Sequence, residues 1–185
     1  MPRRKLKKTT KVTLTLKLLQ MNDSELTDAI IEDAAPCYSP DQPSKQLQVE
    51  AVLNLIRIRH TFVRAGTGFG KSRVAEIYCH LFARTKNPVV LVLNPHDALG
   101  NNQVQEKIAQ GFTALNLKQT NFNESVAGEI LQGKYNFIYL SPEIFLNNKM
   151  FTEVYHNPKF QDHLVLTVSR RLLRDMRTQD NGLEY

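Results

Sequence analysis

Eight residues, Ala65-Gly66-Thr67-Gly68-Phe69-Gly70-Lys71-Ser72, constrain this chain more than any other feature. Three glycines within five residues let the backbone turn with its amides converging on one point. A lysine follows the last glycine, and a serine opens a stretch of helical spacing. Upstream, His60-Thr-Phe-Val-Arg64 reads as a short strand, and Ser72 to Ala83 reads as helix. A small-residue loop between a strand and a helix N-terminus is built to hold phosphate, because free amides and the helix dipole both favour an anion there. Lys71 is predicted to bridge the β- and γ-phosphate oxygens of a nucleotide, and the Ser72 hydroxyl to ligate Mg²⁺. The strict pattern asks for glycine at position 65. The alanine found there is small enough for a strand exit.

The remainder alternates in type. Leu47, Ala51, Val52, Leu55 and Ile56 recur at helical spacing and predict a helix over 44–58. Pro88 to Asn94 encloses a continuous apolar run, as expected of a strand buried on both faces of a parallel sheet. A helix over 97–110, a weaker strand over 112–117, a helix from its Asn123 cap to Leu131 and a strand from Tyr135 to Leu140 follow. A helix over 148–155 and the strand Leu164-Val-Leu-Thr-Val168 complete the series. Strands alternating with helices of ten or so residues mean right-handed βαβ units. The predicted fold is α/β: a phosphate-loop NTPase with a doubly wound parallel sheet.

Composition closes off other classes. Of 185 residues, 42% are hydrophobic and 23% charged, which excludes wholesale disorder. No apolar run approaches the length of a membrane span, so no membrane partner is expected. Cys37 and Cys79 cannot make a disulfide framework and lack metal-ligand spacing; an intracellular, reducing compartment is the default. The formal net charge is +6, but it is unevenly spread. Residues 1–17 hold seven basic groups and no acid, while 18–168 hold 13 basic against 15 acidic residues. The basic arm reads either as a nucleic-acid or nuclear-targeting element or as a solvated, flexible tail. Between 18 and 43 the sign reverses in an acidic amphipathic helix around Leu26, Ala29 and Ile30. Pro36, Pro40 and Pro43 then make a linker, which starts the globular part near Ser44.

The residues flanking the loop carry a resemblance. Gln48 stands 23 residues before Lys71 and follows Ser44-Lys45-Gln46-Leu47. This arrangement resembles the first RecA-like domain of superfamily 2 helicases, and more narrowly the RecQ family of 3′-to-5′ DNA helicases. In that family a Phe-Arg-x-x-Gln motif lies at the same distance and its glutamine reads adenine. Here Lys45 takes the place of the adenine-stacking arginine, and Ser44 that of the aromatic residue. Val92-Leu-Asn-Pro-His-Asp-Ala-Leu-Gly-Asn-Asn-Gln-Val104 is similar to the family's Ser-Pro-Leu segment followed by Leu-x-x-Asp-Gln-Val. Tyr139-Leu-Ser-Pro-Glu-Ile-Phe145 is similar to its Tyr-x-x-Pro-Glu-Arg-Leu segment.

The resemblance covers residues 44–168 and implies a partial helicase ATP-binding domain there. On this reading 1–43 hold the basic arm, acidic helix and linker, and 169–185 form a divergent basic tail. It implies ATP and Mg²⁺ held by Lys45, Gln48, Gly66, Thr67, Gly68, Phe69, Gly70, Lys71 and Ser72, with Lys71 catalytic. Single-stranded or forked DNA would be contacted by Pro95, Asn102, Gln103, Ser141, Pro142 and Glu143. A nuclear location is implied as well.

The resemblance stops at residue 169. In the family the strand matching Leu164 to Val168 runs into Asp-Glu-x-His, whose carboxylates orient Mg²⁺ and activate water. Here Ser169-Arg170-Arg171-Leu172 follows, which puts positive charge where a base is needed. With neither that carboxylate pair nor a second RecA-like lobe in the sequence, the expectation is a helicase lobe inactive as a motor in this form. A non-catalytic ATP- and nucleic-acid-binding regulator is the alternative. A small-molecule kinase would need an arginine-rich lid, for which Arg170 to Arg177 is the only source.

Overall fold

The computed structural model describes residues 11–66, 68–82, 86–94 and 97–169, with 97–99 described by backbone alone. Four strands make one parallel sheet: β1 (Val89–Leu93), β2 (Ala114–Leu117), β3 (Phe137–Leu140) and β4 (Leu164–Ser169), in the order β2-β3-β1-β4. Registers run Val90 to Phe137 through Leu93 to Leu140 between β1 and β3. On the other side of β1, Leu93 lies opposite Ser169. The C-terminal ends of β1, β3 and β4 therefore finish level with one another.

Alternation along the strands sorts the core into two layers. Val90, Val92, Phe137 and Tyr139 face α4 (Ser72–His80), which contributes Ala75 and Cys79, and α5 (Asp97–Ala109), which contributes Val104. Val89, Leu91, Leu117, Ile138 and Leu140 face the opposite way. They are covered by α6 (Glu124–Leu131), α7 (Pro142–Asn147), α8 (Lys149–His156) and α9 (Pro158–His163). Helices on both faces of a parallel sheet are the architecture that the continuous apolar strands demand. The helix starts are set by local chemistry. Asn123, Ser141, Asn148 and Asn157 each accept a backbone N–H with the side chain, and Pro142 and Pro158 occupy the first turn.

A third cluster lies ahead of the sheet, where α1 (Leu16–Gln20) leads into α2 (Asp23–Ala34). Asn22 and Glu25 exchange hydrogen bonds of 3.0 Å in a capping box that starts α2. Its apolar stripe, Leu26, Ile30 and Ala34, is fully buried against α3 (Gln46–Ile56) and α4. Arg57 pins the two helices, donating to Asp23 at 2.8 Å and to the Met21 carbonyl at 2.6 Å. Val12 is also buried, and its N–H donates to the Asp162 carbonyl at 2.7 Å. Packing thus reaches well ahead of Ser44. The arm at 1–10 and the tail at 170–185 lie outside the described residues.

One expectation is corrected. His60 to Arg64 do not join the sheet. The segment is extended and alternates: Thr61, Val63 and Ala65 are half-buried, while Phe62, Arg64 and Gly66 are exposed. Only one of the inward residues, Val63, is a large apolar group, too little surface to hold a further strand on the ladder.

Candidate phosphate-binding site

The loop's shape follows from its glycines. Gly68 and Gly70 have φ of 79° and 84°, in the left-handed region where other residues are strained. At Gly70 the requirement is double, because an added Cβ would sit 2.9 Å from Gln48 Nε2. At Gly66 and Gly68 a Cβ would meet nothing within 4 Å, so the mouth of the loop is open. Ser72 begins α4, and no side chain caps that helix. The Arg73 and Val74 amides turn back onto the Gly70 and Lys71 carbonyls at 3.0 and 3.3 Å, and the positive end of the helix dipole lies at the loop. Lys71 is exposed and folds back over the loop, its Nζ donating to the carbonyls of Ala65 at 2.7 Å and Gly66 at 2.8 Å. An open cradle, an uncapped helix start and a cation within reach of both suit a polyphosphate with its divalent ion. Gly66, Gly68, Phe69, Gly70, Lys71 and Ser72 are brought together; Thr67 lies outside the described residues.

Gln48 is fully buried beside this loop, in the first turn of α3. Its Oε1 accepts the Lys45 N–H at 2.9 Å, and its Nε2 donates to the carbonyls of Phe69 at 3.2 Å and Gly70 at 3.0 Å. One side chain thus ties the start of α3 to the loop across 22 residues of sequence. Lys45 Nζ lies 4.7 Å from the centroid of the Phe69 ring, a cation–π contact on the same side.

Four residues that sequence reasoning passed over, Arg73, Tyr38, Glu76 and Lys107, complete the surroundings. Arg73 lies over the Tyr38 ring, 3.9 Å from its centroid, and donates to the Gln42 carbonyl at 2.9 Å. The Tyr38 hydroxyl donates to Glu76 at 2.8 Å, and Lys107 on α5 closes a buried ion pair with the other carboxylate oxygen. Burial, reinforced by the Glu76 carboxylate, raises the Tyr38 phenol above its ordinary range, so the hydroxyl stays a donor. No sequence spacing announces these partners, which come from the linker and from a helix beyond β1. A run of Pro, Gln and Tyr before α3 gives no periodic signal.

The second group of predicted residues lies at the C-terminal ends of β1 and β3, which the Asn94 N–H joins by donating to the Leu140 carbonyl at 2.8 Å. Asn102 is exposed on α5, whereas Gln103 is buried and accepts from Asn94 Nδ2 at 3.2 Å. Ser141 caps α7 by accepting the Ile144 N–H at 3.2 Å, and Pro142 and Glu143 are exposed in its first turn. Pro95 lies outside the described residues. Ser169 ends β4 at the same level, half a sheet away from Ser141. Among the described residues, no group of three or more His, Cys, Asp or Glu could hold a metal ion. No helix among the described residues is long and apolar enough to cross a membrane.

A family model described as DEAD/DEAH box helicase matches residues 45–168, about two thirds of the chain. A comparison with curated proteins returns no match.

Proposed function

Because the chain belongs to the DEAD/DEAH box helicase family, whose domain is an ATP-dependent nucleic-acid helicase lobe, we propose that it is the ATP-binding lobe of a RecQ-type 3′-to-5′ DNA helicase. The observation that carries this reading is the bond from Gln48 to the loop backbone at Phe69 and Gly70. It ties the glutamine to the two residues just ahead of Lys71, the lysine that stands 23 positions after it as in that family. ATP with Mg²⁺ would be held by the loop amides, Lys71 and Ser72, with Lys45 and Gln48 on the adenine side. Bound Mg²⁺ would neutralise charge on the phosphates; Lys71 would exchange the Ala65 and Gly66 carbonyls for phosphate oxygens, and the α4 N-terminus would supply its dipole. Single-stranded or forked DNA would run across the strand ends near Asn102, Ser141 and Glu143, contacting phosphate more than base.

Hydrolysis at motor rates is not part of the proposal. β4 ends at Ser169 and the sequence continues with Arg170, where a carboxylate pair would orient the ion and activate water. The same residues favour the second reading, a nucleotide-responsive regulator that binds without turning over. A nuclear location rests on the helicase resemblance together with the basic residues at 3–8. The test is a titration of a fluorescent ATP analogue with Mg²⁺ on the chain and on Lys71→Ala. Saturable binding that the substitution abolishes is expected; equal binding by both would overturn the assignment of the loop. DNA-stimulated ATP hydrolysis by the purified chain would overturn its description as inactive.

A further inference from the structure

The stretch between Glu50 and Glu76 contains Arg57, Arg59, Arg64, Lys71 and Arg73 and no carboxylate. Arg57 is neutralised by Asp23, and Lys71 and Arg73 are engaged by the loop and by Tyr38. Arg59 and Arg64 are exposed and form no ion pair among the described residues. They flank Phe62, which is 60% exposed, and the alternation of the extended segment puts Phe62 and Arg64 on one outward side with His60. Ile58, 91% exposed, starts this strip in the left-handed region at φ 58°, an expensive conformation for a β-branched residue. The backbone amides of His60 to Arg64 donate to no other backbone group among the described residues. Free amides, unpaired cations and an exposed ring lie along a few residues of extended chain. That is the chemistry of a surface that tracks a sugar-phosphate backbone while one base stacks on an aromatic face.

We infer that residues 58–64 are a second contact for single-stranded nucleic acid, separate from the strand-end face. Phe62 is its stacking platform, and Arg59 and Arg64 are its phosphate contacts. The inference rests on the helicase-lobe reading for the class of partner but involves none of the residues assigned there. Negative charge is required on the partner because the strip offers two unpaired guanidinium groups; stacking is required because the ring otherwise stays in water.

The test uses the full chain with an oligothymidylate carrying 4-thiothymidine, photocrosslinked and digested with trypsin, alongside anisotropy of a labelled oligothymidylate. Crosslinks are expected in peptide 60–64. Phe62→Ala is expected to weaken binding at least about fivefold, the lower end for one stacked base. Arg59→Glu with Arg64→Glu is expected to weaken it about tenfold or more at low salt, and to reduce the salt slope by about two. All three side chains are exposed, and circular dichroism of each variant checks that the fold is kept. Crosslinks confined to other peptides, unchanged affinity in the variants, or no binding by the parent chain would overturn the inference. Loss of binding in Asn102→Ala or Glu143→Ala with none at the strip would overturn it while leaving the helicase-lobe reading standing. ATP-analogue binding, measured on the same samples, tests the phosphate loop separately.

Discussion

Lys107→Met probes a charge buried, with its partner Glu76, as deeply as any among the described residues. Lys107 and Glu76 are each 2% exposed and form an ion pair that joins α5 to α4, the helix opened by the phosphate loop. Removing the lysine leaves a carboxylate in the interior with one remaining partner, the Tyr38 hydroxyl at 2.8 Å. Breaking a buried pair from one side costs about 3–5 kcal/mol, mostly as the penalty of the stranded charge. With a urea m-value of about 2 kcal/mol/M, the unfolding midpoint should fall by about 2 M, followed by circular dichroism at 222 nm. The double change Glu76→Gln with Lys107→Met removes both charges and keeps an amide oxygen for Tyr38. It should recover much of that loss, because methionine fills the space between α5 and the Phe137 ring, which the ammonium approaches to 5.4 Å. A single variant within about 0.5 M of the parent would refute the reasoning. So would a double variant as unstable as the two singles added together, since that would mean that the charges do not depend on one another.

Three other outcomes follow from the packing. Leu26→Ala should cost about 2–5 kcal/mol in the same urea assay, because its side chain is fully buried between α2, α3 and α4; a loss below about 1 kcal/mol would mean that α2 is not part of the cooperative unit. Gly70→Ala should cost about 2–3 kcal/mol, combining strain at φ 84° with the displacement of Gln48 from its two carbonyls, and should weaken binding of the ATP analogue. Burial pushes the Cys79 thiol up to about 12 from an ordinary value near 9, so the folded state holds its proton where the unfolded state releases it. The Cys79 contribution to stability should therefore be fully present below pH 9 and fall by up to about 1.4 kcal/mol per pH unit between 9 and 12. Cys79→Ala should flatten that slope in pH-dependent melts.

The alternation of strands and helices was legible because each buried strand had to be apolar on both faces. Val89 to Leu93 can be little else. The loop's tight turn was legible because its glycines are spaced for it, and Gly68 and Gly70 take the positive φ such a turn needs. Partnerships across the sequence were not. Glu76 and Lys107 are 31 residues apart and read as ordinary charges on two helices; only the fold makes them a pair. The short helices α7 and α9 had a signal in Ser141-Pro142 and Asn157-Pro158, each a cap followed by a proline at a helix start, but six residues give no periodicity to support it. His60 to Arg64 misled because period-two alternation marks an extended chain whether or not a neighbour is there to pair with it. Gln103 looked available from its motif, yet it is buried and bonded to Asn94, so the motif preserves a loop's shape there more than a contact with solvent.

The lysine of the loop already has two ligands of its own, the carbonyls of Ala65 and Gly66. An anion that takes this lysine must therefore displace those oxygens. A chloride or a single phosphate returns little for the two oxygens it displaces, whereas a chain of phosphates also reaches the helix start and the glycine amides. On the proposed reading the chain's own carbonyls would act as a threshold, one that a polyphosphate passes more readily than a small anion.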